Sequence, residues 1–116
     1  MNLSGKSALI TGSARGIGRA IAARFVRAGA KVALNCVRSI ELAEAAAEAL
    51  REEGGEVVVI PADVGDRAEA RRLVDKATEH FGVLDIVVAN AGVIIDKPFL
   101  DHTEEDWHAA THNMLD

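Results

Sequence analysis

The sequence predicts an α/β domain built on a parallel sheet, and three observations carry that prediction. Short apolar runs alternate with stretches of helical periodicity along all 116 residues. Glycine and proline fall at the junctions between them. Hydrophobic residues make up 49% of the chain and charged residues 27%, a globular balance for a single domain spanning 1–116. Crossovers between successive parallel strands are expected to be right-handed.

Ser7-Ala8-Leu9-Ile10 is a short apolar run broken at Gly12, as a buried strand should be. From Ile17, apolar residues recur at Ile21, Phe25 and Val26 with arginines between them, and Gly29 closes this helix. Val32-Ala33-Leu34 forms a second strand. Glu41 to Glu53 is rich in Ala, Glu and Leu, strong helix formers, and stops at Gly54-Gly55. Val57-Val58-Val59-Ile60, β-branched throughout and ended by Pro61, reads as a strand buried on both faces. Asp66 caps the next helix with Glu69 at the capping-box position, and Leu73, Val74 and Ala77 form its apolar stripe up to Gly82. Leu84 to Ala89 is a fourth strand. After a loop containing Pro98, Thr103 with Asp106 opens a last helix.

Composition excludes several functions. Thirteen basic and 18 acidic residues leave a net charge of −5, a poor match to nucleic acid or an anionic membrane surface. One cysteine, Cys36, rules out a disulfide framework and fits a reducing cytoplasm. Neither a long apolar run nor a basic-then-apolar leader is present, so no membrane span or signal peptide is expected. His108 and His112 lie four apart with His102 upstream, but the intervening residues lack the glutamate of H-E-x-x-H, and no metal site is expected.

Thr11-Gly12-Ser13-Ala14-Arg15-Gly16-Ile17-Gly18 lies between the first strand and the first helix. A glycine here permits a sharp turn with positive φ, and another lets a diphosphate approach the amides at a helix N-terminus. Gly18 lets the helix pack closely on the sheet. The spacing is G-x-x-x-G-x-G, and taken alone it also fits a plain glycine-rich turn.

With Asp63-Val64 after the third strand, Asn90-Ala91-Gly92 after the fourth, and Asn113 past Trp107, the chain resembles the short-chain dehydrogenase/reductase family. Its look is nearest to 3-oxoacyl-acyl-carrier-protein reductases, and the resemblance covers essentially the whole chain. It implies an incomplete Rossmann-like sheet of about four strands in the order 3-2-1-4, with helices on both faces. It also implies that amides around Gly12, Ser13, Gly16 and Ile17 hold a dinucleotide diphosphate and the adjacent ribose. By the same resemblance Asp63 accepts from the adenine amino group beside the Val64 amide, and Asn90, Ala91 and Gly92 support the cofactor's flank. Ala89 stands where many members have a further Asn. Asn113 matches the catalytic position that orders a proton-relay water.

Cofactor choice depends on the end of the second strand, where an acidic residue selects NAD and a nearby arginine accommodates a 2′-phosphate. Cys36 stands there without a charge, with Arg38 just beyond and Arg15 just before Gly16. Two guanidiniums on one phosphate would make charge-assisted bonds, so NADP(H) is favoured over NAD(H). Both arginines also fit a plain solvated surface.

The family's proton donor is the tyrosine of a Y-x-x-x-K motif, and these 116 residues contain no tyrosine. The expectation is therefore a cofactor-binding half, inactive by itself, acting on a small carbonyl or alcohol substrate only if the remaining half is supplied. A non-catalytic nucleotide-binding module and a gene fragment without activity are the alternatives. An unpaired fourth strand would leave an apolar edge, so a homo-oligomer is expected.

Overall fold

The computed structural model describes residues 1–14 and 16–90, and the backbone of 93–95. Their order is β1 (Ser7–Ile10), α1 (Gly16–Arg27), β2 (Lys31–Cys36), α2 (Ile40–Glu52), β3 (Val57–Pro61), α3 (Arg67–Phe81), β4 (Ile86–Ala89) and β5 (Val93–Ile95). The strands form one sheet in the order β3-β2-β1-β4-β5. The first four are parallel, with Ile10 opposite both Leu34 and Val88, and Asn35 opposite Ile60.

Alternation along each strand sorts the core into two layers. Ala8 and Ile10 of β1 pack with Val32 and Leu34 under α1 and α2, where Ala22, Val26, Ala46, Ala47 and Leu50 cover them. Leu9 faces the other way with Ala33 and Val87, against Leu73, Val74 and Ala77 of α3. Leu9, Ile10 and Leu34 are entirely removed from water, worth about 2 kcal/mol apiece. The start of β4 is clasped to β1: the Ser7 amide donates to Asp85 Oδ2 (2.9 Å), the Asp85 amide returns to Ser7 O (3.0 Å), and the Ser7 hydroxyl donates to Val83 O.

Three local expectations are revised. Asp66 does cap α3, accepting from the amides of Ala68 (2.9 Å) and Glu69 (3.2 Å), but Glu69 does not reach back to the cap. Its carboxylate accepts instead from the Asp63 amide (3.2 Å), because the Asp66 amide already donates to Asp63 O. β3 is only half buried, since it is an edge strand, and Pro61 is its exposed last residue. β4 is not a bare edge: β5 pairs with it antiparallel, Val93 opposite Ala89 and Ile95 opposite Val87. The β-branched run Val93-Ile94-Ile95 suits that pairing.

The free edge of β3 is closed in another way. Val32 donates to Glu56 O and Ala62 to Cys36 O, a parity that turns the backbone of Val57, Val59 and Pro61 outward. Arg51 Nε donates to Val57 O (3.0 Å), Arg72 Nη2 donates to Pro61 O (2.9 Å), and Pro61 carries no N–H. Two guanidiniums and a proline thus deny this edge to a further strand. A groove of about 600 Å³ runs beside it, between β3 and α3, lined by Val58, Ile60, Arg72, Lys76, Glu79 and His80. Changing both Arg51 and Arg72 to Met is expected to produce concentration-dependent association in sedimentation velocity. Sedimentation identical to the parent protein would contradict this role.

Candidate dinucleotide-binding site

The sheet grows from β1 toward β2 and β3, then resumes on the opposite side of β1 with β4. Connections diverge there, and in open parallel sheets ligands sit in the crevice outside the carboxyl ends of the strands at such a point. The segments following β1, β2, β3 and β4 therefore share one rim, and it carries the sequence-predicted residues that the structure describes.

The turn after β1 is anchored on both sides. Toward β4, the Thr11 amide and hydroxyl both donate to Val88 O (3.0 and 3.3 Å), and the Asn90 amide donates to Thr11 Oγ1 (3.3 Å). Asn90 Nδ2 donates to Gly12 O (2.9 Å), so the residue singled out after β4 acts as a strut under the turn. Toward β2, the amides of Gly12 and Ser13 donate to Asn35 Oδ1 (3.2 Å) and Asn35 O (2.9 Å). The Ser13 hydroxyl, fully buried, donates to Ile10 O (2.7 Å) and accepts from the Asn35 amide (2.9 Å).

Gly12 and Ser13 thus direct their donors into the protein, which makes them the frame of the turn. Among the described residues, the amides opening α1, Gly16 and Ile17, have no acceptor within the helix and sit at its positive end. Gly16 has φ +65°, and a Cβ built there meets nothing within 4 Å, so the turn faces open space. Ile17 is 73% exposed beside it. Gly18 is the opposite case. A Cβ there would lie 2.6 Å from Gly12 O, 2.9 Å from Asn90 Nδ2 and 3.0 Å from Ser13 Cα. Its bare Cα is what lets the helix, the turn and the Asn90 strut meet.

At the end of β2, Cys36 is buried against Ala14 and Ala43. Burial pushes its thiol pKa up and Glu44 adds to the shift, so the group stays neutral. Arg38 lies two residues on, exposed and without an ion-pair partner among the described residues. After β3, Asp63 is exposed on the rim with Oδ1 accepting from the Gly65 amide (2.9 Å), while Val64 is buried. Arg15, Ala91, Gly92 and Asn113 lie outside the described residues, as do His102, His108, His112 and the last predicted helix. Among the described residues no cluster of metal-ligating side chains occurs, and no helix is long and apolar enough to cross a membrane.

The residue that sequence reasoning passed over is Asn35. A lone amide inside the apolar run Val-Ala-Leu-Asn-Cys was the available signal, since a buried carboxamide must find partners.

A family model described as short chain dehydrogenase matches residues 6–115. The chain is 44% identical over 105 residues to a probable tetrahydroxynaphthalene reductase of Zymoseptoria tritici, covering 90% of this chain and 39% of that protein. It is 48% identical over 105 residues to a versicolorin reductase of Emericella nidulans, covering 90% and 40%. Among solved structures, a short chain dehydrogenase from Burkholderia cenocepacia in complex with NADP superposes with a TM-score of 0.76 at 41% identity, covering 98% of this chain and 46% of that one. A blue fluorescent protein from a metagenomic library in complex with NADPH gives 0.75 at 35% identity, covering 98% and 47%. The chain spans about 40% of the length of the curated relatives it matches.

Proposed function

We infer the function from one premise: the chain belongs to the short-chain dehydrogenase family. Residues 1–116 then supply the dinucleotide-binding half of an oxidoreductase that interconverts a ketone and a secondary alcohol, with NADP(H) preferred over NAD(H). When bound, the nicotinamide dinucleotide gives or takes the hydride. The observation that carries this reading is the open Gly16 turn heading α1 where the sheet order diverges.

The chain's own residues have separate tasks. Gly16 and Ile17 present amides to the diphosphate, Gly12 and Ser13 hold the turn in shape, and Gly18 admits the helix to it. Asp63, with the neighbouring Val64 amide, accepts from the adenine amino group. Asn90, Ala91 and Gly92 line the flank. Arg38 and Arg15 engage the 2′-phosphate, which the neutral Cys36 does not repel. NADP and NADPH in two of the similar structures support the preference. Asn113 would order a water for proton relay. The proton donor is not among these residues, which contain no tyrosine, and by themselves they are expected not to turn over substrate. A reducing cytoplasm suits the buried thiol. The homo-oligomer expected from a bare β4 edge loses that support, because β5 occupies the edge.

A second reading, a nucleotide-binding module without catalysis, rests on the same open turn. Calorimetric titration tests what both share: NADPH is expected to bind at least about tenfold more tightly than NADH, a difference of about 1.4 kcal/mol. No heat with either dinucleotide would overturn both readings. Ketone reduction by the 116 residues alone would exclude the second.

A further inference from the structure

Asn35 is 1% exposed in the middle of the rim, and its carboxamide is used on both sides. Oδ1 accepts from the Gly12 amide at 3.2 Å. Nδ2 donates to Ile60 O and Ala62 O, each at 3.1 Å, with Cys36 O at 3.5 Å. The oxygen faces an N–H and the nitrogen faces carbonyls, so the amide has one sensible orientation. Its backbone adds the exchange with Ser13, through Asn35 O and the Ser13 hydroxyl.

These partners belong to two different loops. Gly12 and Ser13 frame the turn that presents Gly16 and Ile17. Ile60 lies one residue before the end of β3, and Ala62 follows the strand and leads directly into Asp63 and Val64. A backbone ladder joins β2 to β3 without fixing the turn above β1, and the Asn90 strut holds the turn without touching β3. Asn35 alone among the described side chains bonds to both. Only a carboxamide offers an acceptor and two donors in so short a side chain; aspartate lacks the donors and serine or threonine the reach.

We propose that Asn35 is a positioning residue for the dinucleotide, setting the diphosphate turn and the adenine-side loop at one fixed relation. It does not touch the cofactor. Its effect passes through Gly12 to the amides of Gly16 and Ile17, and through Ala62 to Asp63. A ligand that bridges both loops gains affinity when their spacing is set before it arrives. This inference rests on the proposed dinucleotide site, and the experiment separates the two.

Amide hydrogen exchange and NADPH calorimetry are compared for the parent protein, Asn35→Ala, Asn35→Asp and Leu84→Ala. Leu84 is buried near the amino end of β4, away from the rim, so its truncation lowers stability without altering either loop. Asn35→Ala should speed exchange at both Gly12 and Ala62. Asn35→Asp keeps the acceptor and the size, so Gly12 should stay protected while Ala62 and Asp63 quicken, and this variant serves if the alanine variant does not fold. Both should bind NADPH at least about tenfold more weakly, whereas Leu84→Ala should stay within about twofold under conditions where it is folded. Unchanged exchange at Gly12 and Ala62 in Asn35→Ala, or NADPH affinity like that of Leu84→Ala in both Asn35 variants, would overturn the positioning role. A parent protein that binds no dinucleotide, with exchange still altered by Asn35→Ala, would overturn the cofactor reading and this role with it.

Discussion

Gly18→Ala is expected to lower the stability of the protein by about 3 kcal/mol and to remove dinucleotide binding at the same time. The added methyl would sit 2.6 Å from Gly12 O and 3.0 Å from Ser13 Cα. Both are backbone atoms of residues whose amides donate to Asn35, so neither can give way alone. The third neighbour, Asn90 Nδ2, can swing aside, but only by releasing Gly12 O. Relief therefore comes either from pushing α1 off the sheet or from breaking the strut. Set against a total stability of about 5–15 kcal/mol, the loss is large. Gly16→Ala makes the contrast. It faces no steric neighbour and costs about 1–2 kcal/mol for its positive φ, while its methyl occupies the space a diphosphate would need. Urea denaturation and NADPH calorimetry should show Gly18→Ala losing both properties and Gly16→Ala losing mainly binding. A Gly18→Ala protein that matches the parent in both would refute the close-packing role.

Replacing Arg15 and Arg38 together by alanine is expected to weaken NADPH by about 30–100-fold and NADH by no more than about threefold. Solvent screening holds each of these exposed contacts to a phosphate to about 1–1.4 kcal/mol, and NADH has no 2′-phosphate to lose them. Arg38 meets the requirement of availability, being exposed with no ion pair to break among the described residues. Arg27, by comparison, is engaged with Glu53 at 3.1 Å. The ratio between the two dinucleotides should shrink as salt is raised, because exposed charges are screened. Equal losses for NADPH and NADH, measured by calorimetry at one ionic strength, would refute the preference for NADP(H).

Elements with strong local signals were legible in the sequence. The run Ser7–Ile10 and the stripe Leu73, Val74, Ala77 place β1 and α3 without any tertiary information. The order 3-2-1-4 followed from family resemblance, and the structure has it. What could not be read locally depended on partners far along the chain. Val57–Pro61 is written like a central strand, yet its half-burial depends on what lies beside it. Glu69 stands where a capping box would use it, but Asp63 has already taken the Asp66 amide. Val93–Ile95 becomes a strand only because β4 offers an edge. At the site, Gly16, Ile17 and Gly18 lie where the motif puts them, whereas the inward donors of Gly12 and Ser13 could be known only once Asn35 was placed against them.

The strut from Asn90 to Gly12 spans 78 positions in sequence. The crossovers β1-α1-β2 and β2-α2-β3 close over much shorter loops, and their two-helix layer can be laid down from residues 1–61. The turn acquires its last support only when β4 has docked on the far side of β1. During synthesis the glycine-rich turn is therefore without its strut until residue 90 has been made, however early the glycines themselves emerge. Completion of the turn and the longest-range strand pairing of the parallel sheet are thus coupled in time, and a chain paused before β4 would carry the glycine motif without its strut.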